Sequence, residues 1–291
     1  MAKSFRFIIV PKVSHPWYDE VRQGAQAQAD FLSRELGATV AIEFLPPAEA
    51  DTRAQAAMLE QAAASSPSGI ALDPVDVVEH LAVISRIQAT GIPVVLFDAP
   101  SPAPDLTSVG NNFAEQGVIA AERLVKLIGS AGKVAVMQGV PAAPNHQERY
   151  HAQVEVLKQH PQITIVDGGT DHDDIETARQ QAAAVLTAHP DLKGYLCCDA
   201  SGPIGIAAAI KQSGRAGSVK VVGMDGIRPI LEAIKEGLIE SSSATIPRMQ
   251  GSMAILMLWQ ATQGLKLPRS IDTGIDLITQ ENVDRHLADA K

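Results

Sequence analysis

Phe5-Arg6-Phe7-Ile8-Ile9-Val10 leads directly into Pro11-Lys12-Val13-Ser14-His15-Pro16-Trp17-Tyr18, after which a long helical pattern runs to Leu36. The first run is short and apolar and ends at Pro, as expected of a strand buried on both faces of a parallel sheet. From Tyr18 onward the period changes, with Val21, Ala25, Ala29 and Leu32 on one side of a helix. A strand, a brief loop and a helix open a βαβ unit, and the same rhythm recurs along the chain. Strand-like runs cover 39–45, 69–72, 93–97, 133–137, 163–166, 194–197 and 219–223. Helical spacing covers 52–64, 77–89, 115–128, 175–188 and 204–213. Such alternation implies right-handed crossovers and parallel sheets.

The chain has 291 residues, more than one hydrophobic core usually serves, so two α/β lobes of similar wound sheets are expected. The Pro-rich stretch 99–104 reads as a crossing between them, and the second rhythm starts near Ser108. Helix ends are punctuated. His160-Pro161 and His189-Pro190 each place an imidazole at a negative helix end and a residue that cannot continue the helix.

With 33 acidic and 24 basic side chains, the net charge of −9 disfavours a nucleic-acid partner. No apolar run reaches the roughly 18 residues that a membrane helix requires. Met1-Ala2-Lys3-Ser4 leads at once into the first strand, without a visible signal peptide. Cys197 and Cys198 are adjacent. They read as two buried thiols of a strand, with a vicinal disulfide as the alternative.

Enzyme signatures are missing. The first loop is poor in Gly, there is no Walker-type phosphate loop, and no Gly-x-Ser-x-Gly elbow occurs. His146 and His151 are spaced wrongly for metal ligands on one helix face. Asp171-His172-Asp173-Asp174 reads first as a helix cap rather than a metal cluster. No metal or cofactor is expected.

What the loops do carry is polar and aromatic residues at the carboxyl ends of the strands, the ligand edge of a wound sheet. Lys12, His15, Trp17 and Tyr18 follow the first strand, and Asp98 follows the fourth. Asn145, Arg149, His172, Asp199 and Asp225 follow later ones. A lone Asp there is more often a cap or a turn residue. Several on one edge, beside aromatic faces, an ammonium and a guanidinium, suit a sugar.

The order of these features resembles the type I periplasmic sugar-binding proteins of ABC importers, the ribose- and galactose-binding group, over nearly the whole chain. Ser14-His15-Pro16-Trp17-Tyr18 is similar to the family's aromatic stretch, and Gly24-Ala25 in the next helix fits. Ile92-Pro93-Val94-Val95-Leu96-Phe97-Asp98 looks like the strand ending in a sugar-binding Asp. Residues 145–149 resemble the segment that supplies an Arg, and Val221-Val222-Gly223-Met224-Asp225-Gly226 is the most specific match. Thr245, before Ile246-Pro247, matches a ligand-reaching position on a hinge strand.

There are departures. Ala99 follows Asp98 where ribose binders have Arg, His15 replaces Asn, Met224 replaces Phe, and His172 stands where an aromatic is common. Pro11-Lys12 looks more like the rhamnose- and autoinducer-binding branch, where this Lys reaches the ligand.

The resemblance implies a periplasmic binding protein type I fold, with lobes 1–104 plus 246–273 and 105–245 plus 274–291 joined by a three-segment hinge. It implies capture of a sugar or polyol between the lobes by hinge closure, no catalysis, a membrane ABC permease as partner, and a monomer. The expected location is the periplasm, with a signal peptide lying outside this sequence. A sugar sensor or chemoreceptor module without transport is the alternative, and a sugar-modifying enzyme the more distant one. An operator-binding regulator of the same fold is disfavoured by the acidic charge and by a first strand that opens at Phe5.

Overall fold

In the computed structural model the described residues are 3–290, so Met1, Ala2 and Lys291 lie outside them. In chain order the first elements are β1 (Ser4–Val10), α1 (Pro16–Leu36), β2 (Thr39–Phe44), α2 (Thr52–Ala64), β3 (Gly69–Leu72), α3 (Val77–Ala89), β4 (Val94–Phe97) and β5 (Ser108–Gly110). Next come α4 (Phe113–Ile128), β6 (Gly132–Gln138), α5 (Pro144–Lys158), β7 (Ile163–Thr170), α6 (Ile175–Ala188), β8 (Leu192–Cys197), α7 (Ser201–Gln212) and β9 (Lys220–Met224). The last are α8 (Arg228–Lys235), β10 (Ser241–Ala244), α9 (Pro247–Thr262), β11 (Ser270–Asp272), β12 (Asp276–Thr279) and α10 (Val283–Asp289).

The chain divides into two compact units, 1–111 with 246–274 and 112–245 with 275–291. Each has its own six-stranded sheet, ordered β11-β5-β4-β3-β1-β2 in the first and β12-β10-β9-β8-β6-β7 in the second. All pairings of the first sheet are parallel, while in the second β12 runs antiparallel to β10. In each sheet the second strand lies outside the first and the third lies inside it. The winding therefore reverses at β1/β3 and again at β6/β8, where a wound sheet opens a crevice at its carboxyl edge.

The boundary expected after residue 104 is corrected. Ser108–Gly110 hydrogen-bonds as β5 between β4 and β11, so these residues complete the first sheet rather than opening the second unit. The stretch 99–104 is accordingly a connection inside the first unit, and the chain passes to the second after Asn111.

The central strands are buried on both faces, which is why their sequences are continuous apolar runs without alternation. Ile8, Val10, Ile70, Leu72, Val94 and Leu96 form the first core with Leu59, Ile84 and Ile87 from the helices. Val134, Val136, Leu196, Val222 and Met224 form the second with Leu124 and Leu157. Each such side chain contributes about 1.5–3 kcal/mol by leaving water.

Helix starts follow the local chemistry. Asp51, Asp76, Asn112 and Asp174 accept backbone N–H bonds of the first turns of α2, α3, α4 and α6. The capping reading of the Asp171–Asp174 run therefore falls on Asp174, whose carboxylate takes the Thr177 N–H at 2.7 Å. Pro stands in the first turn of α1, α5 and α9, where its missing N–H costs nothing. His189 is the C-terminal cap of α6. Cys197 and Cys198 are buried free thiols, as read, and burial pushes both well above the usual thiol range.

Candidate functional site

Chemistry gathers at the carboxyl edge of each sheet, beside the reversal of strand order. In the first unit Lys12 leaves β1 and Asp73 leaves β3. The Lys12 ammonium donates to Asp73 Oδ2 at 2.8 Å and stands 3.9 Å from Asp98 Oδ2. The Tyr18 hydroxyl donates to the same Asp73 oxygen at 2.7 Å, and the Lys12 N–H donates to the Tyr18 hydroxyl at 3.2 Å. All four side chains are buried.

Two glutamines hold this arrangement from behind. Gln55 of α2 donates to the carbonyls of Pro11 (2.9 Å) and Asp73 (2.8 Å) and accepts the Val75 N–H (2.7 Å), locking the loop after β1 to the loop after β3. Gln250, in the first turn of α9, donates to Asp98 Oδ1 at 3.3 Å. Trp17 and Tyr18 meet edge to face at 5.1 Å, and Tyr18 meets Phe97 the same way at 6.4 Å. His15 caps α1, its Nδ1 accepting the Trp17 N–H at 3.1 Å, so it orients the aromatic pair.

Asp73 is electrostatically distorted. Burial pushes its carboxyl up to about 7, against the pull of the Lys12 ammonium; the Asp98 charge adds to the rise.

In the second unit Arg149 of α5 is fully buried. Its Nε donates to Gln116 Oε1 at 2.8 Å, one terminal nitrogen donates to the Cys198 carbonyl at 3.3 Å, and the guanidinium lies 5.0 Å from the Phe113 ring. Gln116, in the first turn of α4, also donates to the Ser243 carbonyl at 2.8 Å. Asn145 is buried one residue before His146, whose Nδ1 accepts the Val140 N–H at 2.9 Å. That bond places the proton of neutral His146 on Nε2, which stands 3.9 Å from Asp173 Oδ1.

Asp171, after β7, and Asp199, after β8, are both buried, and each has an Oδ2 without a hydrogen-bond donor among the described residues. Asp171 Oδ1 accepts the Asp173 N–H (3.0 Å), and Asp199 Oδ1 accepts the Gly202 N–H (3.1 Å). Burial pushes Asp171 up to about 7. Burial, then the charges of Asp171 and Asp173, drive Asp199 well above the carboxylate range. Two such neighbours cannot both ionise cheaply, so each disfavours the charged form of the other. Asp225 closes the set. Thr245 donates to its Oδ1 through both the hydroxyl and the backbone N–H, the latter at 3.2 Å.

The two units share one device. Asp98 and Asp225 each follow the fourth strand of their sheet, each in the left-handed region, with φ of 46° and 66°. Each donates its N–H to the next strand, to Val109 and Ser243 respectively.

Of the residues singled out in the sequence, the structure brings together Lys12, Tyr18 and Asp98 beside Trp17 and His15 in one unit. In the other, Asn145 and Arg149 sit with Asp199 on the edge that also holds the Asp225–Thr245 pair. It leaves His172 exposed, at the left-handed turn after β7, and buries Asp171 in its stead. Asp73 was legible by the strand-end rule and was passed over, whereas Asp171 and Asp173 were read only as part of a helix-capping run. Gln55, Gln116 and Gln250 carry no such mark, since a Gln on a helix is ordinarily a solvated residue. Among the described residues, no group of three or more His, Cys, Asp or Glu is arranged to hold a metal ion.

A guanidinium, an ammonium, carboxylates and amides beside aromatic rings are groups suited to hydroxyl-rich ligands. The comparisons agree. The chain is 24% identical over 269 residues to the D-allose-binding periplasmic protein of Escherichia coli (strain K12), covering 89% of this chain and 85% of that one. It is 26% identical over 242 residues to the D-ribose/D-allose-binding protein of Pseudomonas aeruginosa, covering 79% and 76%. An ABC transporter solute-binding protein of Agrobacterium vitis, bound with α-D-tagatopyranose, superposes with a TM-score of 0.89 at 26% identity over 98% of both chains. One from Burkholderia graminis in complex with D-arabinose gives 0.89 at 27% identity over 97% of both. Residues 6–266 match the periplasmic binding protein domain, and the chain belongs to that family of solute-binding proteins.

Proposed function

We propose that this chain captures a neutral monosaccharide or polyol outside the cytoplasm and delivers it to a membrane ABC permease. The observation that carries the reading is the pair of buried polar sets at the carboxyl edges of two similarly wound sheets. Lys12, Tyr18 and Asp98 with Gln250 and Trp17 form one half-site. Asn145, Arg149, Asp199, Asp225 and Thr245 form the other. A ligand gripped by both half-sites favours the closed arrangement of the units, and closure is the signal a permease reads. The relatives named for allose and ribose, and the neighbours holding tagatose and arabinose, place pentoses and hexoses first among the ligands to test. On this reading the protein acts as a monomer.

The test is a thermal-shift screen of D-allose, D-ribose, D-arabinose, D-tagatose and simple polyols, followed by titration calorimetry. At about 100 times its dissociation constant a ligand adds about 2.7 kcal/mol of stability. A flat screen across all of these compounds overturns the reading.

A further inference from the structure

We infer that Asp171 and Asp199 hold one proton between them in the sugar-free protein and that a sugar hydroxyl displaces it, so capture tightens as pH rises. The inference rests on the proposed capture of a sugar, in which Asp199 belongs to the second half-site, and names how that site is regulated.

Asp171 leaves β7 and Asp199 leaves β8, and both are buried. A side-chain carbon placed on Gly202, in the first turn of α7, would lie 3.0 Å from Asp199 Oδ1 and 3.4 Å from Asp171 Oδ2, so the two carboxyls converge on one spot. They stand within hydrogen-bonding reach of each other. One oxygen of each is answered by a backbone N–H, that of Asp173 at 3.0 Å for Asp171 and that of Gly202 at 3.1 Å for Asp199. The other oxygen of each, Oδ2, has no donor among the described residues. A carboxylate only accepts, so two ionised groups placed this way cannot satisfy each other. One proton between them turns two orphaned acceptors into a donor and an acceptor, and it removes one of two adjoining buried charges.

The surrounding groups favour that proton. Asp173 and Asp174, in the turn into α6, add negative charge beside Asp171, and Asp173 does so beside Asp199 as well. Tyr195, Cys197 and Cys198 of β8 face the pair as neutral groups, each pushed above its ordinary range. From α5, Arg149 donates to the Cys198 carbonyl and His146 Nε2 stands against Asp173. The positive end of α7 and its Gly202 N–H suit one negative charge better than two. Burial raises the proton affinity of both carboxyls, in agreement with this arrangement.

A sugar hydroxyl offered to Asp199 Oδ2 supplies the missing donor. Hydrogen bonding to the ionised form favours that form, so the proton affinity of the pair falls on binding and the proton leaves to solvent. A proton released on binding makes affinity rise with pH.

The experiment is titration calorimetry of wild type and Asp171→Asn with D-ribose and D-allose. It is run at pH 6.5 and 8.5, and at pH 7.5 in phosphate and in Tris, whose ionisation enthalpies differ widely. Wild type is expected to bind at least about fivefold more tightly at pH 8.5 than at pH 6.5, and to release between about half and one proton per sugar at pH 7.5. In Asp171→Asn the amide can donate to Asp199 Oδ2 at every pH, so both effects are expected to vanish. Equal affinity of wild type at both pH values, or proton uptake in place of release, overturns the inference. So does an Asp171→Asn variant that keeps the pH dependence of wild type.

A second measurement reads the proton directly. At pH 7.5, infrared difference spectra of sugar-free wild type against Asp199→Asn should contain the C=O stretch of a buried carboxylic acid. A spectrum without it overturns the shared proton, even where Asp171→Asn fails to fold. A flat sugar screen with that band present overturns sugar capture and the displacement step, and leaves the shared proton standing.

Discussion

Asp98 and Asp225 concentrate the demands of the site. Each is buried, takes an unusual backbone conformation, and accepts a side-chain hydrogen bond from Gln250 or Thr245. Asp98→Ala and Asp225→Ala should each weaken sugar binding more than tenfold by calorimetry, since each leaves ligand hydroxyls or protein donors unpaired. Unchanged affinity in both would remove them from the site. The Asp171–Asp199 pair belongs to a different test. Its proton affinity is raised in the folded state relative to an ordinary Asp, so its stabilising contribution is full below about pH 4. It is lost as pH rises toward and through about 7. Thermal melts between pH 4.5 and 8 should therefore fall with pH more steeply for wild type than for Asp171→Asn. Parallel curves would deny the raised proton affinity of Asp171. At this scale the sequence was only half legible. The strand-end rule found Lys12, Asp98, Asp199 and Asp225, but chose His172 over Asp171, because the turn that exposes one and buries the other is set by left-handed residues no periodicity reveals.

Elements were read best where burial is two-sided. The continuous apolar runs of β1, β3, β4, β6 and β8 cannot be solvated, so their sequences announce them. β10 is Ser241-Ser242-Ser243-Ala244, fully buried yet polar, and its place is decided by pairing with β9 and β12. β5 and β11 have only three residues each, and missing β5 misplaced the unit boundary. Helix packing supplies a prediction here. A side-chain carbon added at Gly24 of α1 would lie 1.9 Å from the Arg248 carbonyl oxygen of α9, and one at Gly251 of α9 would lie 2.1 Å from that of Val21. Gly24→Ala should force α1 and α9 apart and cost about 1–3 kcal/mol in urea unfolding. An unchanged midpoint would show that these helices slide freely. Gln55→Ala should cost a similar amount, about 1–3 kcal/mol, by stranding two carbonyls and an N–H. It should also weaken sugar binding, because the loops bearing Lys12 and Asp73 lose their common brace.

The whole molecule repeats one plan. In both units the strand order is the same, an acid follows the third strand (Asp73, Asp199), and a left-handed Asp follows the fourth. In both, a helix entered after a crossing carries a buried Gln in its first turn, Gln116 in α4 and Gln250 in α9. This duplication explains why the βαβ rhythm in the sequence sufficed for the fold class. The plan also predicts a coupled response to ligand. Saturating sugar should raise the melting temperature by about 5 °C for a chain of this size. The same sugar should reduce the radius of gyration in solution scattering if both half-sites grip it, and an unchanged radius would confine binding to one unit.

The left-handed backbone at Asp98 and Asp225 bears on anyone who would retarget this receptor as a biosensor. Asn and Gly enter that conformation readily, whereas Val, Ile and Thr resist it. A saturation library at these two codons should therefore yield folded clones from a short alphabet, whatever analyte is sought. New recognition would have to be written mainly at Lys12, Asp73 and Arg149, whose backbones impose no such filter.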